Sequence, residues 1–243
     1  MKPYFRFHIL VLFWATLLMA GCASLPQGSV ASDRDPLESY NRAMYSFNDS
    51  LDRTILQPVA RGYVAVTPDF VRTGVSNFFS NIADLAVFVN DLLQGKPGQG
   101  LADGGRFVMN TTVGLLGVLD VATPAGLPQH REDFGQTLAV WGWDNSTYLV
   151  LPLLGPSTVR DTLGLVGDMP LSLYTNLHTT NTKLAEIFAF ETVNTRSNLL
   201  AASNVLETAA LDPYAFVRDA YLQRRRNLIY DGHPPPTPDD DYQ

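Results

Sequence analysis

The sequence predicts a mainly α-helical protein with one folded domain. Three observations lead there. Apolar residues recur at three- and four-residue steps over long stretches, only one short segment reads as a strand, and neither a linker nor a fixed-period repeat divides the chain. At 243 residues there is ample room for a buried core.

Tyr40, Met44, Phe47 and Leu51 mark one face of a first helix. Thr67-Pro68 reads as an N-cap followed by proline at the first helical position. Behind it Val71, Val75, Phe78, Phe79, Ile82, Leu85, Ala86 and Val89 form a stripe that stops near Gly95-Lys96-Pro97. A further stretch runs from Leu101 to Thr112 and ends at Gly114. Thr147 to Leu151 is the strand candidate, ended by Pro152. Lys183 to Ala210 is helical by length and composition. Asp212-Pro213 opens a last helix carrying Tyr214, Val217, Tyr221 and Arg224 to Arg226.

Composition narrows the class. Hydrophobic residues make up 46% and charged residues only 17%, against about 25% charged in an average soluble protein. With 17 basic and 24 acidic residues the net charge is −7, which argues against a nucleic-acid partner, since phosphate binding needs a basic face. The charge deficit is sharpest between Phe107 and Arg160. Only Asp120, Arg131, Glu132, Asp133, Asp144 and Arg160 are charged there, and six glycines and four prolines interrupt the apolar runs. No run reaches the 18 or so residues of a membrane-crossing helix. Two readings stay open: short apolar pieces lying in a membrane interface, or a large buried core with irregular loops.

The N-terminus carries an address. Lys2 and Arg6 precede a 12-residue apolar run, Ile9 to Ala20, too short for a permanent span of about 20 residues but right for a secretory signal peptide. Cys22, the chain's one cysteine, sits where cleavage would fall, in Leu18-Met19-Ala20-Gly21-Cys22-Ala23-Ser24. This resembles a bacterial lipobox, with Met19 where leucine is usual, and makes Cys22 the acylated first residue of the mature protein. Several acyl chains there would hold it firmly at a membrane. By resemblance to lipoprotein sorting rules, Ala23 and Ser24 after the cysteine point to the outer membrane. Processing leaves 15 basic against 24 acidic residues, a net of −9. The expected organisation is a signal peptide (1–21), an acylated tether (22–34), a helical domain (35–231) and a disordered acidic tail (232–243).

Catalytic constellations are missing from the sequence. There is no Gly-x-Ser-x-Gly elbow and no H-E-x-x-H pair. One cysteine and four scattered histidines cannot form a Cys/His zinc site, and no cofactor is implied. Gly95-Lys96-Pro97-Gly98-Gln99-Gly100 superficially resembles a phosphate loop. Its lysine follows the wrong glycine with no Ser/Thr after it, so it reads as a helix–helix turn. Asn77, Asn81, Asn90 and Asn110 are the unusual residues, polar positions on otherwise apolar helical stretches. They either cap and cross-link helices or line a polar path.

Motifs along the whole domain resemble the MlaA (VacJ) lipoprotein family of Gram-negative outer membranes. They include Asp35-Pro36-Leu37-Glu38 with Asn41-Arg42, Pro58 to Tyr63, Val71 to Asn81, Leu92 to Pro97, Arg106-Phe107 with Asn110, and Asp120-Val121-Ala122. Glu132 to Leu138 with Trp141-Gly142, Tyr148 to Ser157, and Asp212-Pro213-Tyr214 with Arg218 to Tyr221 complete the set. Two places depart. Asp84-Leu85-Ala86 stands where the family usually shows Glu-Pro, so a kink is absent or softened, and Trp143 to Ser146 replaces a glycine-rich turn.

The resemblance implies an all-α, ring-like domain of amphipathic and broken helices embedded in one leaflet, beside a trimeric outer-membrane porin. It implies that phospholipids strayed into the outer leaflet are taken up and passed to a soluble periplasmic carrier of the MlaC type, maintaining lipid asymmetry. Such passage needs a polar-lined route for the head group through an apolar body, because an unpaired charge in hydrocarbon costs several kcal/mol. The residues expected to face the head group are Asn77, Asn81, Asn90, Arg106 and Asn110. Phe78, Phe79, Leu115, Leu116 and Leu119 are the expected apolar wall. Arg106 either donates to a lipid phosphate or pairs with an aspartate such as Asp91 or Asp103. The alternatives are a porin-associated structural lipoprotein without transport, and a lipid hydrolase for which no residues can be nominated.

Overall fold

The computed structural model describes residues 35–172, 180–203 and 210–236. The signal segment, Cys22 and the tether lie outside the described residues, as does the end of the acidic tail. The architecture is helical with one small hairpin. The helices are α1 (Glu38–Leu51), α2 (Gln57–Val66), α3 (Asp69–Leu93), α4 (Pro97–Thr112), α5 (Phe134–Val140), α6 (Val159–Asp168), α7 (Asn181–Asn198) and α8 (Pro213–Ile229). Strands β1 (Tyr148–Leu151) and β2 (Gly155–Thr158) pair antiparallel, Tyr148 opposite Thr158 and Leu151 opposite Gly155. None of the described helices is long and apolar enough to cross a membrane.

Helices α1 and α2 join through a π turn, Asp52–Leu56, without a break in the rod. Thr67 closes α2 rather than capping α3. Its backbone is extended (φ −111°, ψ 118°), as expected before a proline, and Pro68 takes the N-cap place, so α3 begins at Asp69. Asp69 then puts its carboxylate at the positive end of the helix. Helix α3 runs 25 residues, about 37 Å, unbroken through Asp84-Leu85-Ala86. At its end Gly95 adopts φ +76°, and Pro97 restarts the chain as the first residue of α4, four residues earlier than the Leu101 onset expected from periodicity. The pair packs side by side as a hairpin. Side-chain caps start the later helices: Asp133 accepts from Gln136 N, Thr158 from Asp161 N, Thr180 from Lys183 N and Asp212 from Ala215 N. The expected helix from Lys183 onward is interrupted at Leu199 and resumes from residue 200 up to 203. Residues 232–236 fold back on α8, Gly232 N donating to Asn227 O and Arg226 to Pro235 O.

The burial pattern is inverted. Among the described residues, eight hydrophobic side chains are buried against 21 polar or charged ones, while 33 large hydrophobic residues are exposed. A water-soluble domain of this size does the opposite at its centre. Of the two readings of residues 107–160, a large buried core is not what the structure has. Val108, Val113, Leu115, Leu116, Trp141, Leu153 and Leu154 are all more than half exposed. An aromatic core, Tyr148, Val150 and Tyr214 with Tyr45 and Tyr221 packed on it, ties the hairpin to α1 and α8. Asp35, fully buried, accepts from Asn41 Nδ2 (2.9 Å) and Tyr214 OH there and fixes the point where the N-terminal segment joins the body.

Candidate functional site

A cavity of about 1070 Å³ lies between the N-terminal half of α3, the loop 113–119 and α7. Phe78, Phe79, Ile82, Leu119, Ile187 and Phe190 supply most of its wall. The aromatic rings brace one another: Phe78 and Phe79 meet edge-on with centroids 5.6 Å apart, and Phe190 lies 6.0 Å from Tyr63, edge-on, and 6.0 Å from Phe79, tilted. The polar groups on the wall are already engaged. Asn77 Nδ2 donates to Val118 O (3.1 Å), and Thr73 Oγ1 to Asp69 O (2.9 Å). What the cavity offers a ligand is therefore hydrocarbon contact.

The wall depends on close approach of helix and loop. A Cβ at Gly74 would stand 2.9 Å from Val118 Cγ1, and one at Gly117 (φ +89°) would stand 2.6 Å from Asn81 Cβ. The loop is bonded to itself, with Gly117 N to Asn110 O (2.8 Å) and Leu119 N to Gly114 O (2.8 Å). This geometry forces Leu115 and Leu116 into left-handed backbone (φ +54° and +60°), although both side chains are two-thirds exposed. They flank the cavity without lining it.

The remaining asparagines and Arg106 sit elsewhere. The inner face of α3 carries Asn81, Asp84, Asn90 and Asp91, and that of α4 carries Asp103, Arg106 and Asn110. Together they form a polar seam. Asn81 Nδ2 donates to Thr111 Oγ1 (2.9 Å). Asn90 Nδ2 donates to Asp168 Oδ1 (2.9 Å), and its Oδ1 accepts from Thr137 Oγ1 (2.8 Å). Asn110 Oδ1 accepts from the backbone of Val121 and Ala122, and its Nδ2 donates to Asp120 (3.1 Å). Arg106, 3% exposed, donates to Thr123 (2.9 Å) and Leu127 O and pairs with Asp84 (3.7 Å) and Asp120 (3.4 Å). The ion-pair alternative thus holds for Arg106, with Asp84 and Asp120 in place of Asp91 or Asp103. Among the residues expected to form a passage, the structure brings only Asn77, Phe78, Phe79 and Leu119 to the cavity. Asn81, Asn90, Arg106 and Asn110 are turned to protein partners, because buried polar groups need them.

The seam also holds carboxyls that periodicity alone does not reveal. Burial pushes Asp84 up to about 6, with Gln129 (3.2 Å) and Arg106 opposing. Fully buried Asp91 is pushed up to about 7, by burial first and then by the charges of Asp103 and Glu132. Asp103 Oδ2 lies 2.7 Å from His130 Nδ1. The α7 wall residues, Ile187 and Phe190, also escape sequence reading, since the α7 segment shows no clean apolar stripe.

Comparison with known proteins places this geometry. The family described as MlaA lipoprotein matches residues 33–228. The Intermembrane phospholipid transport system lipoprotein MlaA of Escherichia coli (strain K12) is 38% identical over 225 residues, 90% of this chain and 87% of that protein. Its namesake from Haemophilus influenzae is 31% identical over 229 residues, covering 92% and 91%. A solved structure reported as the structural basis for maintenance of bacterial outer membrane lipid asymmetry matches with a TM-score of 0.71 at 37% identity, over 80% of this chain and 98% of that one.

Proposed function

The chain belongs to the MlaA lipoprotein family, and on that footing we propose that it removes phospholipids from the outer leaflet of the outer membrane for return toward the inner membrane. It thereby maintains lipid asymmetry as one part of an intermembrane phospholipid transport system. In this reading Cys22 carries the acyl anchor and the domain 35–231 sits in the periplasmic leaflet. A trimeric porin stands beside it, and a soluble carrier of the MlaC type receives the lipid. No catalytic step is assigned to it.

The observation that carries the reading is the apolar cavity under α3 in a body that, among the described residues, buries 21 polar or charged side chains and exposes 33 large hydrophobic ones. An apolar cavity of this size suits acyl chains, and an apolar exterior suits a leaflet. Filling the cavity tests it. Val75 lines the wall and is half-buried, so Val75→Trp occupies the space with little disturbance to the polar seam. Cells carrying it should accumulate outer-leaflet phospholipid and become sensitive to detergent with chelator, at normal protein level. Full complementation of a deletion strain by this variant would remove the cavity from the mechanism.

A further inference from the structure

A second, polar cavity of about 250 Å³ opens between the start of α5 and α8. Its carboxylates are answered from within the protein. Glu132 accepts from Gln94 (2.8 Å), Gln99 (3.2 Å) and Lys96 (3.2 Å). Asp133 is held by both terminal nitrogens of Arg225 and by Gln136 N (2.9 Å). Behind them Asp161 accepts from Arg225 (2.9 Å) and from Tyr221 OH (2.8 Å).

The cationic side is not answered. Arg131 and Arg224 both line this cavity, and neither guanidinium has a carboxylate or carbonyl partner among the described residues. That is unusual in this chain. Every other described arginine except Arg61 is paired or bonded, for instance Arg42, Arg72, Arg106, Arg160 and Arg218. Arg225, also on the cavity wall and 8% exposed, is engaged internally by Asp133 and Asp161. Two unpaired guanidinium groups thus offer donors in one small concavity of a protein with net charge −7.

We infer that this cavity binds a phosphate oxyanion, with Arg131 and Arg224 as its charged walls. Guanidinium forks match tetrahedral oxyanions in geometry and charge, and the space is that of a head group without its tails. The site is separate from the apolar cavity. The two cavities share no lining residue. The oxyanion comes either from a lipid head group or from free phosphate. Only the first source rests on the transport reading above.

The test uses the full lipoprotein in neutral detergent, titrated by calorimetry with inorganic phosphate and, separately, with glycerophosphoglycerol, at constant ionic strength set with chloride. Saturable binding of both compounds, or of either alone, is expected, and Arg131→Gln with Arg224→Gln should weaken it at least tenfold. Preference for glycerophosphoglycerol identifies a lipid head group, and preference for inorganic phosphate identifies the free ion. Because both arginines are exposed and unpartnered, the double variant should keep its far-ultraviolet circular dichroism and melting temperature. Heat that titrates equally with chloride, or unchanged affinity in the double variant, would overturn the inference. Val75→Trp serves as the separating control. It should leave phosphate affinity intact, so loss of transport there and loss of phosphate binding at the arginines report on different sites.

Discussion

Arg106 is tied into the fold by partners that periodicity does not reveal. It lies 3% exposed between Asp84 and Asp120, so truncating it strands Asp84 in the interior. Breaking a buried pair by removing one partner costs about 3–5 kcal/mol. Arg106→Ala should therefore lower the melting temperature in detergent and the cellular abundance, and Arg106→Lys should not restore them, since one ammonium cannot reach Thr123, Leu127 and both carboxylates. Normal abundance with lost lipid asymmetry would instead return Arg106 to the transport path. The seam's carboxyls set a pH dependence of definite sign. Asp84 and Asp91 titrate in the folded protein near 6 and 7, above the 3.8 of a free aspartate. Between about 3.8 and 7 the folded state therefore holds more protons than the unfolded one, and stability falls as pH rises. Asp120 and Asp133 are held below 3.8, chiefly by Thr123 and Arg225 acting against burial, so their contribution is lost only on further acidification. Thermal unfolding should show a higher melting temperature near pH 5.5 than near pH 8. Asp84→Asn should flatten that slope, and an equal slope in the variant would show that Asp84 does not set it.

At the scale of elements, the loop 113–119 and the tip of the β hairpin follow one design. Leu115, Leu116 and Leu153 all adopt left-handed backbone, and all three side chains are at least two-thirds exposed. A non-glycine residue there costs about 1–2 kcal/mol, and water gives no return for it. A leaflet does, at about 1.5–3 kcal/mol for each large apolar side chain transferred. Changing both Leu115 and Leu116 to Asn, which tolerates this backbone, should leave the melting temperature unchanged or higher and weaken vesicle partitioning at least tenfold. Flotation in a density gradient reads the second effect, and unchanged flotation would mean that the loop does not enter lipid.

At the scale of the molecule, the inversion of polar and apolar residues makes a prediction independent of the acyl chains. Residues 22–243 carry 15 basic and 24 acidic residues, a net of −9, so charge gives them no attraction to a neutral or anionic lipid surface. A mature chain with Cys22→Ser should still float with neutral phospholipid vesicles, and should do so in molar salt, where surface electrostatics are screened within about 3 Å. A variant that stays wholly in the aqueous fraction, monomeric and folded, would show that the 33 exposed hydrophobic residues are covered in some other way.

By itself the sequence determined what is local or compositional. The α class follows from three- and four-residue periodicity, the last helix from Asp212-Pro213, and the first strand, observed over Tyr148–Leu151, from the run Thr147 to Leu151 before Pro152. The low charge of residues 107–160 is likewise a property of composition. Motifs spread along nearly the whole domain carried the family. Tertiary structure alone decided which polar residues meet. Asn77 and Asn81 are one helical turn apart on α3, yet one reaches the cavity and the other the seam, because the loop at Val118 and the facing Thr111 claim them separately. The partners of Arg106 and the unanswered arginines 131 and 224 were equally beyond reach. Periodicity reports which face a residue shares. It carries no information about what a distant segment, 14 or 92 residues away in sequence, will bring against that face.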